Sequence, residues 1–287
     1  MRAQRYLKKI CIGTAQFGSK YGITNKTGKT KISEAKKILK LAKSNKISFI
    51  DTAETYGRSQ KIIGTARFVK PKIITKIRLF SLKKTEISIY KSIKDLNVNC
   101  LYALLIHNPQ KLLAKDGKII FSKLKEFKKK KLIKKIGVSE YSVERLKRII
   151  SKFDIDIVSF PYNPFDQRLV TTGLLKSLRR KNIEVHVRSI FLQGLLLANV
   201  EDIPKKLKRW NKVFNHFENL SQKYSISKIK ICLDTAFSLT GVSKITLGVQ
   251  NKFQLEQILH YLKKTKIQKR TFDYKYNKKL SNPLSWL

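Results

Sequence analysis

KKICIGTAQFGSKYG, residues 8–22, decides the architecture. Its first half, KKICIG (8–13), is a short β-branched run of the kind that forms a buried strand. A doubly wound, dinucleotide-binding sheet would follow such a strand with a G-x-G-x-x-G turn, because close backbone approach to a pyrophosphate needs glycines at that spacing. GTAQFGSKYG (13–22) lacks the spacing.

Seven similar runs follow: ISFIDT (47–52), KIITKI (72–77), LYALLIH (101–107), KKIGVS (134–139), DIVSFPY (156–162), IEVHVRS (183–189) and KITLGV (244–249). Amphipathic stretches lie between them. Ala35, Ile38, Leu39 and Ala42 keep helical spacing behind Ser33, read as an N-cap; Val143, Leu146, Ile149 and Ile150 do so after Ser142. Leu255, Ile258, Leu259 and Leu262 repeat the spacing near the other end. Strands separated by helix-length segments pair in parallel through crossovers, and no Pro/Gly/Ser-rich linker divides the chain. Eight such units in about 250 residues match one α/β chain folded as a single (β/α)8 TIM barrel, here occupying residues 1–287.

The bulk numbers exclude more than they assign. A hydrophobic fraction of 42% fills a core, and 29% charged residues do not imply disorder. No run approaches the roughly 18 to 20 apolar residues of a membrane span. MRAQRYLKKI leads into CIGTAQFG, too short and polar for a signal h-region, so a soluble cytoplasmic protein with no membrane partner is expected. Cys11, Cys100 and Cys232 are scattered and read as reduced structural thiols. His107, His186, His216 and His260 show no ligand spacing, so no metal is expected. The formal charge of +44 invites a nucleic-acid partner. The basic residues are mostly Lys, however, and are spread over nearly every helical segment; bidentate recognition favours Arg. In KLKEFKKKKLIKKIG (123–137), Leu124, Phe127, Leu132 and Ile133 trace an apolar stripe between lysines. Weak, salt-sensitive attraction to polyanions is expected, and no specific nucleic-acid partner.

Functional groups in such a barrel gather at the C-terminal strand ends. Asp51 ends the second run, Lys76 nearly ends the third, His107 ends the fourth, and Tyr56 follows Asp51 in its loop. Neighbouring strands lie about 4.8 Å apart, so these groups can share a pocket. A phenol with a pKa of about 10 is a sluggish acid; a neighbouring ammonium is expected to lower it, and a carboxylate to hold that ammonium charged and in position. The imidazole can orient a substrate oxygen. The set suits protonation of a carbonyl while hydride reaches its carbon.

GTAQFG (13–18), FIDTAETYG (49–57) with Gly64 downstream, IITKI, LLIHNP (104–109), KKIGVSEY (134–141), PYNPFDQR (161–168), RSIFLQGLLL (188–197) and LGVQNKFQLEQIL (247–259) together resemble the aldo-keto reductases over nearly the whole chain. The resemblance implies a barrel that binds NADP or NAD without a Rossmann domain, with Tyr56 as general acid, Lys76 and Asp51 tuning it, and His107 orienting the carbonyl. It implies cofactor contacts at Gly13 and Thr14 in the first motif and at Ser139, near the nicotinamide carboxamide. Ser189, Phe191, Gln193 and Gly194 would line the pyrophosphate, and Gly248, Val249, Gln250 and Gln254 the adenosine phosphate. GTAQFGSKYGI and RSIFLQG look most like a bacterial branch associated with surface-polysaccharide gene clusters.

Three positions depart from the family pattern. Ser159 stands where many members have a Gln on the nicotinamide amide. Arg188 stands where an aromatic often stacks on the nicotinamide ring, and its planar guanidinium can stack instead. Gln254 replaces an Arg that often holds a 2′-phosphate, with Lys252 able to compensate. The leading expectation is an NAD(P)H-dependent reductase of an aldehyde, ketone or sugar carbonyl. The alternatives are a nicotinamide-binding regulatory protein on the same barrel and a polyanion-binding protein. Specificity is expected from residues 18–30, 108–120 and 264–287, where Asn282, Pro283 and Trp286 form either part of the wall or a closure of the barrel's outside.

Overall fold

The computed structural model describes residues 2–66, 71–269 and 276–286. Its strands are β1 (Ile10–Gly13), β2 (Phe49–Asp51), β3 (Lys72–Ile77), β4 (Leu101–Ile106), β5 (Ile133–Ser139), β6 (Ile157–Pro161), β7 (Glu184–Arg188) and β8 (Lys244–Gly248). Each pairs in parallel with the next, and β8 closes on β1. The result is the expected eight-stranded TIM barrel, with each strand followed by helix.

Both faces of these strands are buried, which is why their sequences read as near-continuous apolar runs. Side chains still alternate between faces. Ile12, Ile50, Leu104, Ile106, Val158 and Val187 pack outward in the main core, against the helices. Cys11, Phe49, Ile74, Ala103, Leu105 and Ile157 fill the barrel interior as a separate cluster. Two residues past each interior group the chain reaches the upper rim: Cys11 leads to Gly13, Phe49 to Asp51, Ile74 to Lys76, Leu105 to His107 and Ile157 to Ser159. Register extends the layer, because Ser139 pairs beside Ser159, and His186, also beside Ser159, leads to Arg188.

The helical stripes lie buried as their spacing requires. Ala35, Ile38, Leu39 and Ala42 lie within Ile32–Ser44; Val143, Leu146, Ile149 and Ile150 within Val143–Lys152; and Leu255, Ile258, Leu259 and Leu262 within Lys252–Lys264. Ser142 caps its helix, its Oγ accepting from the Arg145 N–H at 3.1 Å. Ser33 does not cap. Thr30 is anchored by its N–H to the Gln16 carbonyl and by Oγ1 to the Gln250 carbonyl, so the helix starts at Ile32 with Lys31 as a cap lacking a side-chain bond.

Leu280 and Trp286 of the tail pack into a satellite cluster with Phe165, Leu192, Leu195 and Leu196; residues 270–275 of that tail lie outside the described residues. The Trp286 indole N–H donates to the Lys279 and Leu280 carbonyls at 3.0 and 3.1 Å. Trp286 thus secures the chain after β7 from outside. The three cysteines are free. Among the described residues no helix is long and apolar enough to cross a membrane, and no His/Cys/Asp/Glu cluster is suited to a metal.

The two serines give opposite expectations in denaturant titration. Ser142→Ala removes a capping bond and lowers stability by about 1 kcal/mol, whereas Ser33→Ala, on an exposed first turn, changes it by less than about 0.5 kcal/mol.

Candidate active site

Asp51 and Lys76 meet inside the top of the barrel. The Lys76 Nζ lies 2.5 Å from Asp51 Oδ1 and donates to the Thr52 carbonyl at 3.0 Å, with the two side chains 1% and 8% exposed. The Lys76 ammonium also sits 5.1 Å from the centroid of the Tyr56 ring. Tyr56 meets His107 edge to face, with ring centroids 6.2 Å apart at 85°. Thr55 Oγ1 lies 3.3 Å from His107 Nδ1. The four residues read from successive strand ends are therefore one cluster.

Backbone packing places the tyrosine. Gly18, at the end of the short helix Ala15–Gly18 after β1, lies so close to the Tyr56 carbonyl that a methyl there would collide with it; a methyl on Gly57, at φ +53°, would likewise collide with the Gly18 carbonyl. Only glycine combines this approach with that backbone angle. Two of the sequence motifs, GTAQFG and TYG, thus touch through their glycines.

Electrostatics departs from the expectation in one respect. Burial, followed by the charge of Asp51, pushes the Tyr56 phenol well above its usual range, against the opposing charge of Arg188. The ammonium was expected to lower it. Instead the Asp51 carboxylate at 2.5 Å neutralises much of that charge, and desolvation dominates. His107 is driven down to about 3 by burial and then by the charges of Lys76, Arg188 and Arg78. Its imidazole is neutral at physiological pH.

A cleft of about 440 Å³ opens from this cluster, with Asp51 and Tyr56 at its inner end. Gly13 and Thr14 line it from β1; Arg188, Ser189, Phe191, Gln193 and Gly194 from the end of β7 onward; and Gly248, Val249, Gln250 and Gln254 from β8 and the helix after it. Neither Lys76 nor His107 lines it: Lys76 lies behind Asp51, and His107 beside Tyr56. Ser139 and Ser159 are buried register neighbours off its wall. Asn163 of PYNPFDQR donates to the Ser189 carbonyl at 3.0 Å, and Ser189, Leu192 and Gln193 hold positive φ values of 60°, 47° and 57°. Such strain in non-glycine residues persists only where surroundings impose it, and it gathers at ligand sites.

The opposite wall comes from the 18–30 segment expected to set specificity, in which the sequence singles out no individual residue. Tyr21, Gly22 and residues 24–27 line the cleft, and their segment ties its rims together. Asn25 Nδ2 donates to Gln250 Oε1 at 3.2 Å, Thr24 Oγ1 to the Gln193 carbonyl at 3.4 Å, and Lys26 pairs with Asp202 at 2.7 Å. The sequence marks this loop as polar, but its contacts carry no periodic signal. Residues 108–120 and the described tail residues stay off the wall.

The residues present fit a long polar ligand such as a nicotinamide dinucleotide. Gln16 Oε1 and Arg188 Nε belong to residues of this wall and are buried without hydrogen-bond partners among the described residues, as is Ser159 Oγ nearby. Buried polar atoms are ordinarily paired, so such a group of orphans marks a place for ligand polar groups. At the far end Asn251 caps the helix Lys252–Lys264 by accepting from the Gln254 N–H, Gln254 Oε1 accepts from the Gln250 N–H, and Lys252 pairs with Glu256 at 2.9 Å.

The neutrality of His107 has a measurable signature. A folded-state pKa of about 3 against an unfolded value of about 6.5 means that the unfolded chain binds the extra proton first. The stability this group contributes is complete above about pH 6.5 and is lost as pH falls toward 3. His107→Gln is expected to flatten the stability–pH curve across that window, and the wild-type His107 ring resonances to show no titration between pH 8 and 4.5.

The aldo/keto reductase family model matches residues 9–276. No curated protein matches the chain in sequence. Among solved structures, the aldo-keto reductase AKR11C1 of Bacillus halodurans superposes with a TM-score of 0.71 at 14% identity, covering 92% of this chain and 94% of that one. The glycerol dehydrogenase AKR11B4 of Gluconobacter oxydans superposes with a TM-score of 0.67 at 18% identity, covering 88% and 85%. At these identities the superpositions speak for the fold alone. The match over nearly the whole length does more: this chain belongs to the aldo/keto reductase family and is an NAD(P)H-dependent oxidoreductase acting on carbonyl compounds.

Proposed function

We propose that the chain reduces the carbonyl of an aldehyde, ketone or sugar, with Tyr56 as the proton donor. The observation that carries this reading is the Asp51–Lys76–Tyr56–His107 cluster, of which Asp51 and Tyr56 line the cleft. The nicotinamide, when bound, supplies the hydride. Ser189 to Gly194 and Gly248 to Gln254 would hold the dinucleotide, with Ser139 and Ser159 toward its carboxamide.

The rest falls to the side chains. A phenol raised above its usual range keeps its proton until an acceptor arrives. As the carbonyl oxygen gains negative charge, the Tyr56 O–H bond breaks toward it and the phenolate left behind faces the Lys76 ammonium. Neutral His107 donates a hydrogen bond to the same oxygen without competing as an acid. With Nδ1 beside Thr55, Nε2 is the nitrogen left for that task. Solvent returns the proton to Tyr56 after the alcohol leaves.

A hydroxylated, sugar-derived carbonyl is our reading of the substrate, supported by the resemblance of GTAQFGSKYGI and RSIFLQG to a branch from polysaccharide gene clusters. The amides and hydroxyls of Thr24, Asn25 and Gln193 on the wall are compatible with it. The adenosine end favours NAD over NADP, because Gln254 is engaged with the Gln250 backbone and Lys252 with Glu256.

Tyr56→Phe tests the assignment. Turnover is expected to fall by about 10²- to 10⁴-fold, while thermal stabilisation by the cofactor stays as in the wild type. Undiminished turnover in this variant rules Tyr56 out as the acid. In the same stabilisation assay NADH is expected to raise the melting temperature at least as far as NADPH, since tighter binding appears directly as a larger shift.

A further inference from the structure

Arg188 ends β7 in the upper interior layer, and the proton-transfer scheme gives it no task. Its guanidinium lies 4.0 Å from the centroid of the Tyr141 ring. Nη2 donates to the Glu140 carbonyl at 3.1 Å, Nη1 to Ser189 Oγ at 3.3 Å, and Nε is buried without a partner. Each of these contacts is neutral. The carboxylates around it are taken by other cations: Asp51 by Lys76, Glu140 by Arg145 and Asp166 by Arg168. Among the described residues Arg188 forms no ion pair, so a partly desolvated positive charge stands without a counter-charge on the wall of the cleft.

That charge sits at the reacting end. It acts on both Tyr56 and His107, and on Tyr21 beside them. If Tyr56 protonates the substrate oxygen, hydride must pass to the adjoining carbon across one contact distance, so the nicotinamide ring also belongs at this end. The ring is a cationic pyridinium when oxidised and neutral when reduced. The adenosine, ribose and pyrophosphate parts are identical in the two forms.

We infer that Arg188 makes the cleft discriminate between the redox states of its cofactor, favouring the reduced nicotinamide over the oxidised one. The inference rests on the proposed function, which puts the ring beside Tyr56. A half-buried cation raises the free energy of the pyridinium and leaves the neutral ring nearly untouched. The same residue can lie flat against either ring through its planar face, so packing is equal for both and charge makes the difference. A contact to the pyrophosphate would instead tighten both forms alike.

The test is the pair of dissociation constants, oxidised and reduced, for whichever of NAD(H) or NADP(H) binds more tightly, measured by calorimetry and nicotinamide fluorescence. Wild type is expected to bind the reduced form at least about tenfold more tightly, the order of magnitude for two like charges several ångström apart in a partly desolvated site. Arg188→Lys keeps that ratio. Arg188→Met lowers it by about tenfold, mainly by tightening the oxidised form. A ratio unchanged in Arg188→Met, or an equal weakening of both forms, overturns the inference. A measurement on the wild type alone guards against a variant that does not fold. ADP-ribose, or its 2′-phosphate in the NADP case, lacks the ring and should bind at least as tightly as the oxidised dinucleotide. Tenfold tighter binding of the oxidised dinucleotide than of that fragment also overturns it. Failure of any dinucleotide to bind the wild type refutes the proposed function together with this inference; intact binding and Tyr56-dependent turnover with an Arg188-independent ratio refute this inference alone.

Discussion

The buried ion pair between Lys76 and Asp51 is the constraint to which the upper half of the barrel answers. Removing one partner would leave an uncompensated buried charge, a cost of about 3 to 5 kcal/mol. β2 and β3 must therefore keep the register that sets Asp51 beside Ile74, with Lys76 two residues on. A slip of one residue would turn the ammonium outward among the aliphatic side chains that face the helices. The same lysine ties down the loop that carries Tyr56. Its ammonium donates to the Thr52 carbonyl, and its own carbonyl accepts from the Glu54 N–H at 3.0 Å. One residue thus fixes the phenol's position through its backbone as well as its side chain.

The lower end of the barrel solves a similar problem with the opposite excess. Lys72, Lys135 and Lys244 border its mouth there, Lys72 exposed and the other two half-buried. Glu184 receives Lys135, the Tyr102 hydroxyl at 2.8 Å and His186 at 2.6 Å. Lys72 and Lys244 lie 5.2 and 3.9 Å from the centroid of the Phe49 ring. Aromatic faces accommodate cations for which no carboxylate is at hand. A few of the lysines behind the +44 charge are therefore structural, while most of the remainder coat helix faces.

The strands were legible because burial on both faces writes itself as β-branched runs, and the observed ends fall within two residues of those runs. Parity then brings Asp51, Lys76 and His107 to one layer, which spacing along each strand is enough to foresee. Ser33 failed as a cap because the helix start is set by Thr30, whose partners Gln16 and Gln250 are remote in sequence. The loop 18–30 was visible only as polar sequence; its crossing of the cleft depends on bonds to residues about 170 to 225 positions away. Distant pairings of that kind leave no periodic trace in a single chain.

The phenol shows how structure reverses a pairwise argument. An ammonium near Tyr56 should lower its pKa, yet the ammonium is already paired with Asp51, and burial prevails. Tyr56 and His107 are both neutral, and Lys76 with Asp51 sums to zero. Among the described residues, Arg188 is the charged group on this end of the cleft wall that forms no ion pair, and it stands where many family members are expected to have an aromatic. Negative charge growing on a carbonyl oxygen at Tyr56 would meet a positive field to which that residue contributes, and positive charge on a nicotinamide ring there would meet the same field with the opposite consequence. On the proposed chemistry, a single departure from the family pattern would thus bear with opposite sign on the two halves of the reaction.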